Sequence, residues 1–216
     1  ATADDAAGAL ADADVAISLV TADAALVAAR EYAPLLPAGS IWCDMNSVSP
    51  ETKRAAAAVV EAAGGHYVDA AVMAPVDAQL AVPILLAGPQ AEAARVLLGQ
   101  LGFGNVRVIG AEVGRAAAIK LIRSVMVKGI EALSAECAAA AQAAGVLDEV
   151  IASLDASEKA AGWREKIAYN IGRMELHGLR RASEMRESAA TLEGLGVEPV
   201  MTRSTVAVHA AAAKLK

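Results

Sequence analysis

Apolar and polar positions along the chain follow two rhythms, and the change from one to the other divides it. Between residues 13 and 109, short apolar runs alternate with longer amphipathic segments. The run Ala13–Val20 (ADVAISLV) predicts a buried strand, and the spacing after it predicts a helix from Ala22 to Tyr32. Ile41–Met45 predicts a second strand. A helix over Pro50–Ala63 follows, opened by a proline whose missing N–H is no loss in a first turn. His66–Val72, Pro83–Ala87 and Val106–Ile109 predict three more strands, with a helix over Ala91–Leu101 between the last two. Strands that alternate with helices form βαβ units and a largely parallel sheet.

After Gly110 the strand rhythm stops. From Val113 to Ala144 there is no proline, and inside the segment only Gly129 interrupts a helical pattern. That is roughly thirty residues, or about 45 Å of helix. Leu147–Leu154, Trp163–Leu195 and Glu198–Lys214 predict further helices, the second of them broken near Gly172 or Gly178. An α/β domain over residues 1–111 is thus expected to precede an all-α domain over 112–216, built on one long helix.

Composition narrows the function classes. Hydrophobic residues make up 56% of the 216 and charged residues 20%, enough for a substantial core. Aromatics are only 3% and alanine is abundant, which favours close-packed helices. Nineteen basic against twenty-five acidic residues give a net charge of −6, with no basic block, which argues against a nucleic-acid surface. Cys43 and Cys137 lie in apolar surroundings without metal-ligand spacing, so both are expected to be buried thiols of a reducing compartment. No metal site is expected. Charged residues cut every apolar stretch before about eighteen positions, and no basic segment leads into an apolar run at the start. The expectation is a cytoplasmic protein with no membrane span.

Three constellations carry candidate chemistry. The first is Asp44–Pro50, DMNSVSP, lying between a strand and a helix. Asn46 and Ser47 would stand at the carboxyl edge of the sheet, where ligands of open α/β sheets bind. The other reading is that Ser47 or Ser49 simply caps the helix that starts at Pro50. The second is Gly114–Lys128, GRAAAIKLIRSVMVK, in which Lys120 sits among Ile119, Leu121 and Ile122 with Arg123, Ser124 and Glu131 at helical spacing. Desolvation lowers a lysine pKa and suits it to exchange protons with a substrate hydroxyl. The alternative is a lysine that snorkels to water. The third is the stripe Arg173, His177, Arg180, Arg181 and Glu184. It reads either as a clamp for an anionic group or as a solvated, ion-paired face.

Taken together, WCDMNSVSPETKR, GGHYVDAAV and the helix start Gly114–Lys120 resemble the β-hydroxyacid dehydrogenase and 6-phosphogluconate dehydrogenase superfamily. In that superfamily the first segment contacts substrate, and Asp44, Asn46, Ser47 and Pro50 match it. The second is a strand leading to a glycine-rich substrate loop, matched by Asp69, Ala70 and Val72. The third is a helix bearing the catalytic lysine, matched by Gly114 and Lys120. The stretch YNIGRMELHGLRRASEMRESAATLEGLGVEPVM resembles the helical domain of a subgroup described as 6-phosphogluconate-dehydrogenase-like NAD-binding proteins. The resemblance implies a Rossmann-type first domain and NADP or NAD as cofactor. It also implies a small-molecule substrate carrying a carboxylate, and a homodimer interlocked through the helical domains. Lys120 and Ser124 would be catalytic, and Asn46, Ser47, Met73, Ala74, His177 and Arg181 would face substrate. Leu19, Val20 and Thr21, with Asn46, would pass near the cofactor.

The chain departs from the family pattern in two places. Met73, Ala74 and Pro75 stand where the family has Ser-Gly-Gly, and proline removes an amide donor from an acid-binding turn. Ser124 stands where it has Asn. Both argue against true 6-phosphogluconate dehydrogenase activity. The strand-turn G-x-G-x-x-G of dinucleotide-binding domains is also missing, since Gly102, Gly104 and Gly110 have the wrong spacing and come too late. A chain that is a fragment, or that lacks its N-terminal portion, is the expectation drawn from this. Two rivals stand beside the dehydrogenase reading. One is an imine reductase or reductive aminase, against which Lys120 counts; the other is a non-catalytic dimerisation or ligand-binding module.

Overall fold

The computed structural model describes residues 5–74, 76–158 and 160–212, with the side chains of 76–78, 131, 184 and 190 left aside. The chain forms two compact units, Ala1–Val125 and Met126–Lys216. The loop before the long helix falls where the sequence rhythm changes, while the division into units falls further on, inside that helix.

In the first unit a short helix α1 (Ala6–Leu10) precedes β1 (Val15–Ser18), α2 (Ala25–Tyr32), β2 (Ile41–Asp44), α3 (Pro50–Ala62) and β3 (His66–Val72). Then come β4 (Ile84–Ala87), α4 (Ala91–Gln100), β5 (Val106–Val108) and the start of α5 (Arg115–Ala144). The sheet runs β1-β2-β3-β4-β5, parallel except for the antiparallel pair β3–β4. The reversal has a simple cause. Residues 73–83 hold only a 3₁₀ segment, Val76–Ala81, and a parallel return would need a longer helical crossover.

Side-chain alternation splits the core between the two faces of the sheet. Ile41, Cys43, Val68, Ala70, Ile84 and Leu86 point to the face covered by Ala91, Ala94 and Leu98 of α4. Trp42 and Tyr67 point to the other, against Ala29 of α2 and Ala56 and Val60 of α3. Burial pushes the Cys43 thiol up to about 12, so it stays protonated. Cys137 corrects the sequence expectation: it is exposed. Alanine-rich helical faces look apolar in sequence whichever way they turn.

The second unit holds the remainder of α5 with α6 (Leu147–Ser157), α7 (Trp163–Gly194) and α8 (Val200–Ala212). The expected break in α7 does not occur, and 32 residues run unbroken through Gly172 and Gly178. An interior helix glycine costs only about 1 kcal/mol against alanine, too little by itself to end a long helix. Glu136 on α5 caps α8: its carboxylate accepts the Met201 amide at 2.7 Å, the Thr202 amide at 2.8 Å and the Thr202 hydroxyl at 2.5 Å. Among the described residues no helix is long and apolar enough to cross a membrane.

Burial alone would raise the Glu136 pKa, but the hydrogen bonds from Thr202 and neighbouring amides outweigh it and hold it below the ordinary 4.5. A depressed carboxylate stabilises the fold above its unfolded value and ceases to do so as pH falls through the folded one. The helical unit should therefore lose stability on acidification below about pH 4.5. Glu136→Gln should flatten that limb in thermal melts followed at several pH values.

Candidate active site at the carboxyl edge of the sheet

The site begins with two acids in register. Asp44 ends β2 and Asp69 lies opposite it in β3, one pair beyond Trp42 and Tyr67 on the same face. Like charges side by side in a sheet repel, and both are fully buried. The cation that faces both is Lys53, on the inward stripe of α3 with Ala56 and Val60. Its Nζ lies 3.0 Å from Asp44 Oδ1 and 3.4 Å from Asp69 Oδ1, and donates to the Asp44 carbonyl at 2.6 Å. The Tyr67 hydroxyl donates to Asp44 Oδ2 at 2.6 Å. Burial, then the Asp44 charge, raises the Tyr67 pKa far above its usual range, so it remains a donor. Removing one member of such a network leaves an uncompensated buried charge, at a cost of about 3–5 kcal/mol.

Each acid also holds a loop. Asp69 Oδ2 accepts the amides of Gly114, Ala116 and Ala117 at 3.0, 3.0 and 3.1 Å, so a strand carboxylate caps the start of α5. Gly114 is required there. Its φ is +97°, and an added Cβ would stand 3.0 Å from the Pro50 ring and from Arg54. Asp44 Oδ1 accepts the Asn46 amide at 2.8 Å. Asn46 in turn accepts the Val20 amide on its Oδ1 at 2.7 Å and donates from Nδ2 to Ser18 Oγ at 2.9 Å.

These bonds sort the residues singled out from sequence. Asn46 is buried, with its amide engaged in bracing the β1 and β2 loops. Through that brace it fixes Leu19, Val20 and Thr21, which form an exposed edge with Leu19 69% accessible. Ser49 caps α3, accepting the Thr52 amide, and so leaves Ser47 exposed beside it. Lys120 is half-buried on α5, within the same unit, about 9 Å along the helix from Gly114. Ser124 Oγ donates to the Lys120 carbonyl at 2.9 Å and keeps its lone pairs free to accept. Met73 is half-buried and its amide donates to the Pro83 carbonyl at 2.8 Å, which withdraws it from anion binding. Ala74 is exposed, and Pro75 lies outside the described residues.

His177 and Arg181 are half-buried on α7, in the second unit. Their neighbour Arg173 donates to the Tyr169 hydroxyl at 3.2 Å and lies over its ring, a local partnership of the bland kind. No group of His, Cys, Asp or Glu among the described residues could hold a metal ion.

Sequence reasoning missed Lys53. The available signal was a lysine at a core position of an amphipathic helix, between two apolar strands that each contain one aspartate.

With this geometry in view, the comparisons with known proteins are specific. The NAD binding domain of 6-phosphogluconate dehydrogenase matches residues 1–110, half of the chain. The chain belongs to this family. A domain of unknown function, DUF1932, matches residues 141–212. A conserved hypothetical protein from Sinorhizobium meliloti 1021 is 39% identical, with 97% of this chain and 70% of that one covered at a TM-score of 0.61. Conserved protein MTH1747, described as structurally similar to 3-hydroxyacid dehydrogenases, is 33% identical over 93% of this chain and 75% of its own, at 0.57. The V8 variant of the imine reductase from Myxococcus stipitatus, solved with NAD+, shares the fold at 0.77 with 20% identity, 99% of this chain and 79% of that one being covered.

The Rossmann-type sheet followed by a helical domain is thus the architecture of this family, and the first unit is an NAD-binding domain. Just beyond the carboxyl end of β1, Leu19–Thr21 is an exposed segment whose Val20 amide is held by Asn46.

Asn46→Ala should lower stability by about 1–3 kcal/mol in urea unfolding, because the Val20 amide loses its acceptor. Ser47→Ala, at an exposed position, should stay within about 0.5 kcal/mol of the parent.

Proposed function

We propose that this 6-phosphogluconate-dehydrogenase-like protein is an NAD(P)-dependent oxidoreductase acting on a hydroxyacid-like substrate, with Lys120 as the general acid and base. The observation that carries the reading is the anchoring of α5. The helix bearing Lys120 is capped by a carboxylate at the sheet edge that also presents Ser47 and the Leu19–Thr21 loop.

When bound, the dinucleotide supplies a nicotinamide carbon able to exchange hydride with a carbinol carbon. The protein's own residues do the rest. Lys120 takes the proton of the substrate hydroxyl on oxidation and returns it on reduction. Ser47 and Ser124 hold polar groups of the substrate. Asn46 acts by fixing the cofactor-side loop and keeps one amide hydrogen for a ligand. The engaged Met73 amide supports a substrate whose acidic group is read elsewhere, and His177 and Arg181 are the proposed readers of a carboxylate. The imine reductase reading has the shared fold in its favour, and a lysine at position 120 against it.

Lys120→Ala should lower kcat by about 10²–10⁴-fold on a hydroxyacid panel, with little change in dinucleotide Kd by titration calorimetry. Lys120→Arg should be nearly as slow, because a guanidinium does not give up its proton. Wild-type turnover in Lys120→Ala would sink the reading.

The helical unit is proposed to make a homodimer. Ile122, Val125, Met126, Ile130 and Leu133 of α5 and Ile167, Ile171, Leu176 and Leu179 of α7 are exposed in the single chain. Apolar surface on that scale marks an interface. Sedimentation at micromolar concentration should show a dimer, and a monomer would exclude it.

A further inference from the structure

Among the described residues, Lys53 is the buried cation that reaches both acids of the carboxyl edge, and each acid leads to a different part of the proposed site. Through Asp44 it is connected to the Asn46 amide, and through Asn46 to Val20 at the cofactor-side loop. Through Asp69 it is connected to the amides of Gly114, Ala116 and Ala117, and so to the helix that carries Lys120. Packing reinforces the junction, since Gly114 sits against Pro50 at the head of the helix that bears Lys53.

We infer that Lys53 is a positioning residue: by holding Asp44 and Asp69 to a common point it sets the spacing between the loop of Asn46 and Ser47 and the helix of Lys120. It touches neither substrate nor cofactor. This inference rests on the proposed role of Lys120. A fold that needed nothing directional here could bury apolar residues in place of the three charged ones, often with equal or greater stability. What an ammonium adds is direction, because it donates to the Asp44 and Ala70 carbonyls as well as facing both carboxylates. A shift of about 1 Å in a reacting group can cost about a hundredfold in rate.

The test compares wild type, Lys53→Met, Asp69→Asn and Lys120→Ala in the full chain, using short hydroxyacids with NAD+ and NADP+ below the melting point of each variant. Asp69→Asn retains an acceptor for the α5 amides and removes the charge, so it serves if Lys53→Met does not fold. The expected result is a kcat at least tenfold lower in each folded variant, with dinucleotide Kd within about threefold of wild type. A variant that melts earlier yet keeps wild-type kcat below its midpoint would make Lys53 a stability residue and overturn the inference. Lys120→Ala separates the failures, because wild-type turnover there defeats the proposed function and leaves the Lys53 result to be read by itself. Amide exchange supplies a readout without substrate. In Lys53→Met, or in Asp69→Asn if it must stand in, exchange at Asn46 and Val20 should accelerate together with exchange at Ala116 and Ala117, while β4 stays protected. Acceleration of one set alone, or of neither, overturns the inference whether or not turnover is found.

Discussion

Two buried aspartates face each other across neighbouring parallel strands, and the α/β unit is built around resolving that conflict. Lys53 resolves it from a helix otherwise packed through alanine and valine. Around this point β2, β3, α3 and α5 acquire their relative places. The apolar alternation of Trp42 and Tyr67 gives way to charge one residue pair later on the same face. The Tyr67 hydroxyl, kept protonated by its surroundings, closes the remaining side of Asp44.

The two units solve their termini by the same device. In the first, a strand carboxylate receives the leading amides of α5. In the second, a carboxylate partway along α5 receives those of α8. Both acids are distant in sequence from the amides they hold, so each cap is also a tertiary tie. A local serine cap such as Ser49 fixes only the start of its own helix.

Much of this was legible in the sequence, for physical reasons that also explain what was not. The five strands were readable because their apolar runs are short and punctuated, and the long α5 because nothing in it breaks a helix. The segments around Asn46 and Lys120 announced themselves by motif. The antiparallel β4 was missed because the strand–helix alternation elsewhere masked a length signal: residues 73–83 are too few for a helical crossover. The continuity of α7 was hidden because a glycine marks a helix as weak without being enough to end it. The role of Asn46 was only half legible: its position at the sheet edge was clear, but the engagement of its amide with Val20 and Ser18 is a long-range fact. Lys53 escaped because lysine in a helix reads by default as a surface residue, and its partners are 9 and 16 residues away.

The placement of Cys43 has a bearing on how this protein can be watched. It lies in the middle of the buried strand β2 with no exposed surface, and its thiol is held in the unreactive form. Thiol reagents reach it only when the sheet opens, so its rate of modification is a native clock for opening of the α/β unit. The exposed Cys137 belongs to the helical unit and responds without any opening. Two cysteines in one unmodified chain therefore report, at separate rates, on the breathing of the sheet and on the accessibility of the helices.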